Sequence, residues 1–210
     1  MQYLILPAAI TILVWVLNHN IRRSNKKNEK KTIESFLKRE DKANLVRRKD
    51  ISNLPYIHVP LEHLPLDITL KDEKKQSKIE NYHKQITYLS EKQMLNLIGL
   101  SNTELKEQYG VANLDKLSAY DGNYSRMLSN LQNFAATIYD EYPNEAVTIM
   151  EYMINEGTDI SATYEYLGKH YMANGNREAF DGLYEKIPCK DTISGKMILD
   201  KLNSVIEADS

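Results

Sequence analysis

The sequence predicts an all-α protein, with an N-terminal transmembrane helix followed by a body of antiparallel helical hairpins. Three observations lead there. From Ile79 onward, apolar residues recur at three- and four-residue spacing with no β-type alternation. Capping residues and glycines punctuate those stripes at helix-length intervals. Ahead of them stands an uncharged apolar leader with a basic run behind it.

The leader is residues 1–21, MQYLILPAAITILVWVLNHNI. Its strongly apolar part is Tyr3 to Leu17, about 22 Å long as a helix, and the flanking polar shoulder extends it toward the ~20 residues a span requires. Tyr3 and Trp15 stand near its ends, where interfacial aromatics are favoured. A cleaved signal would carry positive charge in front and a small-residue cleavage site behind, and neither is present. The expectation is a single anchor in the cell membrane. Arg22, Arg23, Lys26, Lys27, Lys30 and Lys31 follow it directly and would rest on an anionic membrane surface. By the positive-inside rule the N-terminus then faces out and the C-terminal domain is cytoplasmic.

Residues 22–49 form a basic neck. Twelve Lys/Arg stand against four acids, a balance of +8, whereas residues 50–210 carry 15 basic and 25 acidic side chains, a balance of -10. Thr32 is positioned to cap a neck helix with a thin stripe of Ile33, Phe36, Leu37 and Val46. The basic run lacks interleaved aromatics, so nucleic acid is not the expected partner.

Residues 50–71 carry Pro55, Pro60 and Pro65 at five-residue spacing. Each removes an amide donor and extends its predecessor. The segment is nevertheless rich in apolar residues, so it reads as a strap burying Ile51, Leu54, Ile57, Leu61 and Leu64 on the body. The competing reading is a docking segment, 50–67, for another protein. His58, Glu62 and His63 match no zinc spacing, and no metal is expected.

The body is residues 72–210. Ile79, Tyr82, Ile86 and Leu89 make the first stripe. Ser90 with Gln93 predicts a short capped helix to Ile98, ended by Gly99, and Ser101 with Glu104 predicts another, closed by Gly110. Asp121 or Asn123 starts a longer helix that Pro143 follows, and Asn144 starts the next. Asp159 is the expected cap of a helix ended by Gly175, and helices over 177–187 and 192–206 complete the chain.

A shift of 33 residues aligns the body with itself. Phe134 falls on Leu167, Ala135 on Gly168, Ile138 on Tyr171, Glu145-Ala146 on Glu178-Ala179, and Ile154 on Ile187. Small residues at Ala135, Gly168, Ala146 and Ala179 let helices approach closely at their crossings. In LGKHYMANGNREAF, Leu167, Gly168, Tyr171, Gly175 and Glu178-Ala179 make the sequence resemble the tetratricopeptide repeat, with units at about 124–157 and 160–187 and a C-terminal capping helix. Glu178-Ala179 arrive one residue early, and the first unit lacks both glycines. The order of anchor, neck, strap and body is also similar to that of bacterial single-pass membrane proteins, a likeness that implies no activity.

The tetratricopeptide resemblance implies a groove for a protein or peptide partner, with Gln132, Tyr139, Glu165, Lys169 and Met172 facing it. No Gly-rich phosphate loop, His-Glu-x-x-His or nucleophile elbow is present, and His19, His58, His63, His83 and His170 are scattered. The only cysteine, Cys189, excludes an internal disulfide. The expectation is a non-catalytic, membrane-anchored interaction scaffold without cofactor. Its alternatives are a structural subunit of a membrane complex docking through 50–67, or an enzyme with an unrecognised site.

Overall fold

The computed structural model describes residues 31–209. Among them the regular structure is helical, with no strand. The helices are α1 (31–44), α2 (Glu73–Ser90), α3 (Asn102–Tyr109), α4 (Leu114–Ile138), α5 (Pro143–Asn155), α6 (Ser161–Ala173), α7 (Arg177–Glu185) and α8 (Ile193–Asp209).

The membrane-spanning part of the expected architecture is corrected. No helix among the described residues is long and apolar enough to cross a membrane. The anchor expected at 1–21 lies outside the described residues, as do Arg22, Arg23, Lys26, Lys27 and Lys30. The observed architecture is all-α without a spanning helix among the described residues, and the single-pass placement with a cytoplasmic body has no support there. Lys31 is exposed at the start of the described part of α1.

The chain groups into two units, residues 1–49 with 102–112, and residues 50–101 with 113–210. In the first, α1 and α3 are joined by charge. The Arg39 guanidinium donates from Nε to Glu107 Oε1 (2.8 Å) and from Nη2 to Oε2 (2.6 Å), the two-pronged geometry that suits a planar cation. Glu40 accepts from Thr103 Oγ1 (2.7 Å) and from Lys106 Nζ. These bonds hold both carboxyls below the usual carboxylate range. The stripe expected on this helix stays largely uncovered, with Ile33, Phe36 and Leu37 each about half exposed.

In the second unit one apolar core runs through α2, α4, α5, α6, α7 and α8. Asp72 opens α2 by accepting from Lys74 N (2.8 Å) and Lys75 N (3.0 Å). Pro143 occupies the first turn of α5, where its missing donor costs no bond. Asn176 caps α7 through Ala179 N (3.1 Å). Short connections fold α4 onto α5, α5 onto α6 and α6 onto α7, while α2 packs on α4 and α8 on α6.

The 50–71 segment contributes Leu64, Leu66 and Leu70 to this core, with Ile57, Val59, Leu61 and Ile68 partly buried against it. Ile51 and Leu54 are half-buried. A 3-10 turn at Leu61–His63 follows Pro60, and Tyr142 Oη donates to Thr69 O (3.0 Å).

Several boundaries differ from expectation, and Thr32, the expected cap of the neck helix, already lies within α1. No helix forms over 91–98, and Ser90 instead ends α2. Adjacent Met94 and Leu95 are both buried, and the amides of Leu95 and Leu97 bond α4 acceptors, Tyr120 O (3.4 Å) and Asp121 Oδ1 (3.2 Å). Ser90 Oγ turns back to Thr87 O (2.8 Å) instead of capping. Helix α4 begins at Leu114, earlier than Asp121, because Asp121 serves the preceding segment and not a helix end. Ahead of α6 the turn is made by Thr158, whose hydroxyl accepts from Ile160 N (3.2 Å); no side-chain cap comes from Asp159.

Gly168 sits where α6 meets two neighbours. A Cβ there would lie 3.2 Å from Phe180 Cε2 of α7 and 3.3 Å from Leu202 Cδ2 of α8. Ala135 and Ala146 are fully buried on α4 and α5, and Ala179 is half-buried on α7.

Candidate functional site

Helix α6 places Glu165, Lys169 and Met172 on one side, at four- and three-residue steps. They meet Ser204, Val205 and Ala208 of α8 along an open groove of about 350 Å³. Two of its lining residues belong to a charge triplet, because Glu165 accepts from Lys169 Nζ through Oε1 and from Lys201 Nζ, beside the groove, through Oε2, both at 2.6 Å. Two cations on one carboxylate leave a surplus positive charge there. The Lys169 hydrogen bond first, then that of Lys201, holds the Glu165 carboxyl below the usual carboxylate range.

That depression has a pH consequence. The folded Glu165 pKa lies below its unfolded value, so the stabilisation is present above about pH 4.3 and is lost as pH falls through the folded pKa. With both lysines 46% or more exposed, solvent screens the pair, and about 0.5 kcal/mol is expected. Urea unfolding at about pH 7 and about pH 3 checks this, since E165Q should lose less stability on acidification than the parent protein. Equal losses in the two proteins would refute it.

The other two residues expected in the groove lie elsewhere. Gln132 is only 6% exposed, and its Oε1 accepts from Thr163 Oγ1 (2.7 Å), tying α4 to α6 inside the core. A buried amide needs such a partner, and this bond commits Gln132 to the interior. Tyr139 is half-buried in an aromatic cluster, edge-on to Tyr166 (centroids 5.1 Å apart) and to His170 (6.2 Å). Its hydroxyl lies 3.4 Å from His170 Nδ1.

A second concavity, about 300 Å³, opens between α5, α6 and α7. Ile154, Leu167 and Leu183 floor it, Ala179 and Gly182 leave its α7 wall low, and Glu151, Asn155, Tyr171 and Lys186 rim it. Sequence reading missed this cleft and the α8 half of the groove. One signal for the cleft was available, a glycine inside a helical stripe at Gly182.

No group of His, Cys, Asp and Glu suited to a metal ion occurs among the described residues. His58, Glu62 and His63 are exposed along the 50–71 segment. Cys189 is an exposed free thiol beside Ile98 O (4.0 Å).

Among the described residues, fold and site together define an all-α arrangement of packed helices, with the α6–α8 groove and the α5–α6–α7 cleft among its concave surfaces. No family model matches the chain, and no curated protein and no solved structure matches it.

Proposed function

We propose that the protein is a non-catalytic protein-binding module that receives a short segment of a partner protein in the α6–α8 groove. The observation behind this reading is the convergence of Glu165, Lys169 and Met172 with Val205 and Ala208 on one open surface. Met172 offers an adaptable apolar contact, and the small α8 side chains leave room for an anchor residue. The surplus cation beside Glu165 selects a segment with an acidic residue next to its apolar anchor. The resemblance of Leu167–Phe180 to the tetratricopeptide repeat, a peptide-binding hairpin, supports the same reading.

Docking through 50–67 has less in its favour, since Leu64 and Leu66 are 8% and 5% exposed. A partner would find little apolar side chain free at those positions.

Selection of a random peptide library on the full chain tests the proposal. Enrichment of an apolar residue flanked by Asp or Glu is expected, with binding lowered about tenfold or more by M172D and the acidic preference reversed by K169E/K201E. Peptides that bind M172D as well as the parent protein, or a library without enrichment, would overturn it.

A further inference from the structure

We infer that the cleft between α5, α6 and α7 is a binding site for a free apolar α-amino acid, a site separate from the α6–α8 groove and independent of its occupant. The cleft has three features that suit such a ligand.

Its floor is aliphatic. Ile154, Leu167 and Leu183 are buried there, and the space of about 300 Å³ lies at the small end of ligand pockets.

Its opening is maintained by Gly182. This residue is interior to α7, where glycine is a poor helix former. It has no left-handed backbone, and a Cβ on it would meet nothing within 4 Å. Neither a turn nor a close helix crossing therefore requires glycine at this position. The space above it is the cleft itself, and a larger side chain would project into that space.

Its rim carries one charge of each sign. Glu151 and Asn155 stand four residues apart on α5, about 6 Å of helical rise. Glu151 Oε1 accepts from Tyr171 Oη (2.6 Å), and Lys186 Nζ donates to Asn155 Oδ1 (2.6 Å). Glu151 is thus held by a neutral hydroxyl, and Lys186 by the neutral amide of Asn155, whose residue stands one helical turn from Glu151. An ammonium and a carboxylate on one carbon, each making a hydrogen bond of about 2.8 Å, bridge that interval. The side chain of the same molecule then lies on the aliphatic floor. A peptide segment supplies the side chain without both charges, and a fatty acid supplies only one.

Methyl NMR on the full chain, titrated with L-leucine to about 10 mM, tests this. Saturable shifts are expected at the methyls of Ile154, Leu167 and Leu183. N-acetylleucine and leucinamide, each lacking one charge, should bind at least about tenfold more weakly, as should leucine to E151Q or K186Q. Both side chains are exposed, so these variants are expected to fold. G182L should abolish the shifts by filling the cleft. No saturable shift with leucine overturns the inference. So does equal binding of N-acetylleucinamide, which would mark the cleft as a receptor for a peptide side chain, or equal binding of leucine to E151Q and K186Q.

Discussion

Replacing Gly110 with alanine should destabilise the packing of residues 47–49 on α3 within the first unit by about 3 kcal/mol or more, the largest effect expected from adding a single methyl group. Gly110 ends α3 with φ +84°, a left-handed backbone that disfavours any side chain. The space is also occupied. A Cβ would sit 2.7 Å from the carbonyl carbon of Arg47 and 2.9 Å from Arg48 Cα, and closer still to Arg47 O. These are backbone atoms, so no side-chain rotation relieves the overlap. The 47–49 segment is held there by Lys49 N donating to Tyr109 O (3.1 Å) and Lys49 Nζ to Glu107 O (3.4 Å). Arg47, Arg48 and Lys49 are three consecutive trypsin sites. Limited trypsinolysis should therefore cut G110A at 47–49 much faster than the parent protein. G122A supplies the control, because Gly122 is interior to α4 and a Cβ there meets only Arg126 Nη2 at 3.7 Å. Cleavage of G110A at the parent rate would refute the argument.

Phe180→Ala should cost about 3–5 kcal/mol in the second unit, the usual range for deleting a fully buried aromatic side chain. Phe180 is 0% exposed and sets the packing distance between α7 and α6 across Gly168. It meets Tyr184 edge-on at 5.9 Å, and the Arg177 guanidinium lies 5.2 Å from its ring centre. Since 1 kcal/mol corresponds to about 2–4 °C in a unit of this size, the melting temperature should fall by roughly 10 °C. F180L keeps most of the volume and should lose about 1–1.5 kcal/mol. Thermal and urea unfolding measure both variants, and a loss below about 1 kcal/mol for F180A would show that the crossing repacks freely.

Where local chemistry determined the outcome, the sequence was legible. Asp72 acts at the start of α2 through its own side chain, and the helix begins just after it, as read; Pro143, read as the break before a helix starting at Asn144, is itself the first residue of α5. The pairing of Gly168 with a large neighbour was legible for the same reason, because a residue without a side chain in an apolar stripe marks a close approach. The 90–98 segment was not. Its capping-box pattern is a local signal, but two adjacent buried residues and two amides spent on α4 prevail over it, and tertiary contacts of that kind have no local signature. The candidate site shows the same division. Glu165, Lys169 and Met172 share a face by helical geometry alone. That this face meets α8, and that Gln132 turns inward to Thr163, depends on how the hairpins stack. The leader raised the strongest expectation of all, and no helix among the described residues bears it out.

Helix α6 packs on α5, α7 and α8 with only thirteen residues. Thr163, Tyr164, Leu167 and Gly168 are buried around it, and Glu165 is tied down by two lysines. Little of its circumference is left for neutral drift. As the lineage diverges, replacements should accumulate on the outward sides of α2 and α8 while α6 changes slowly, making this short helix the part of the molecule by which distant kin can still be told.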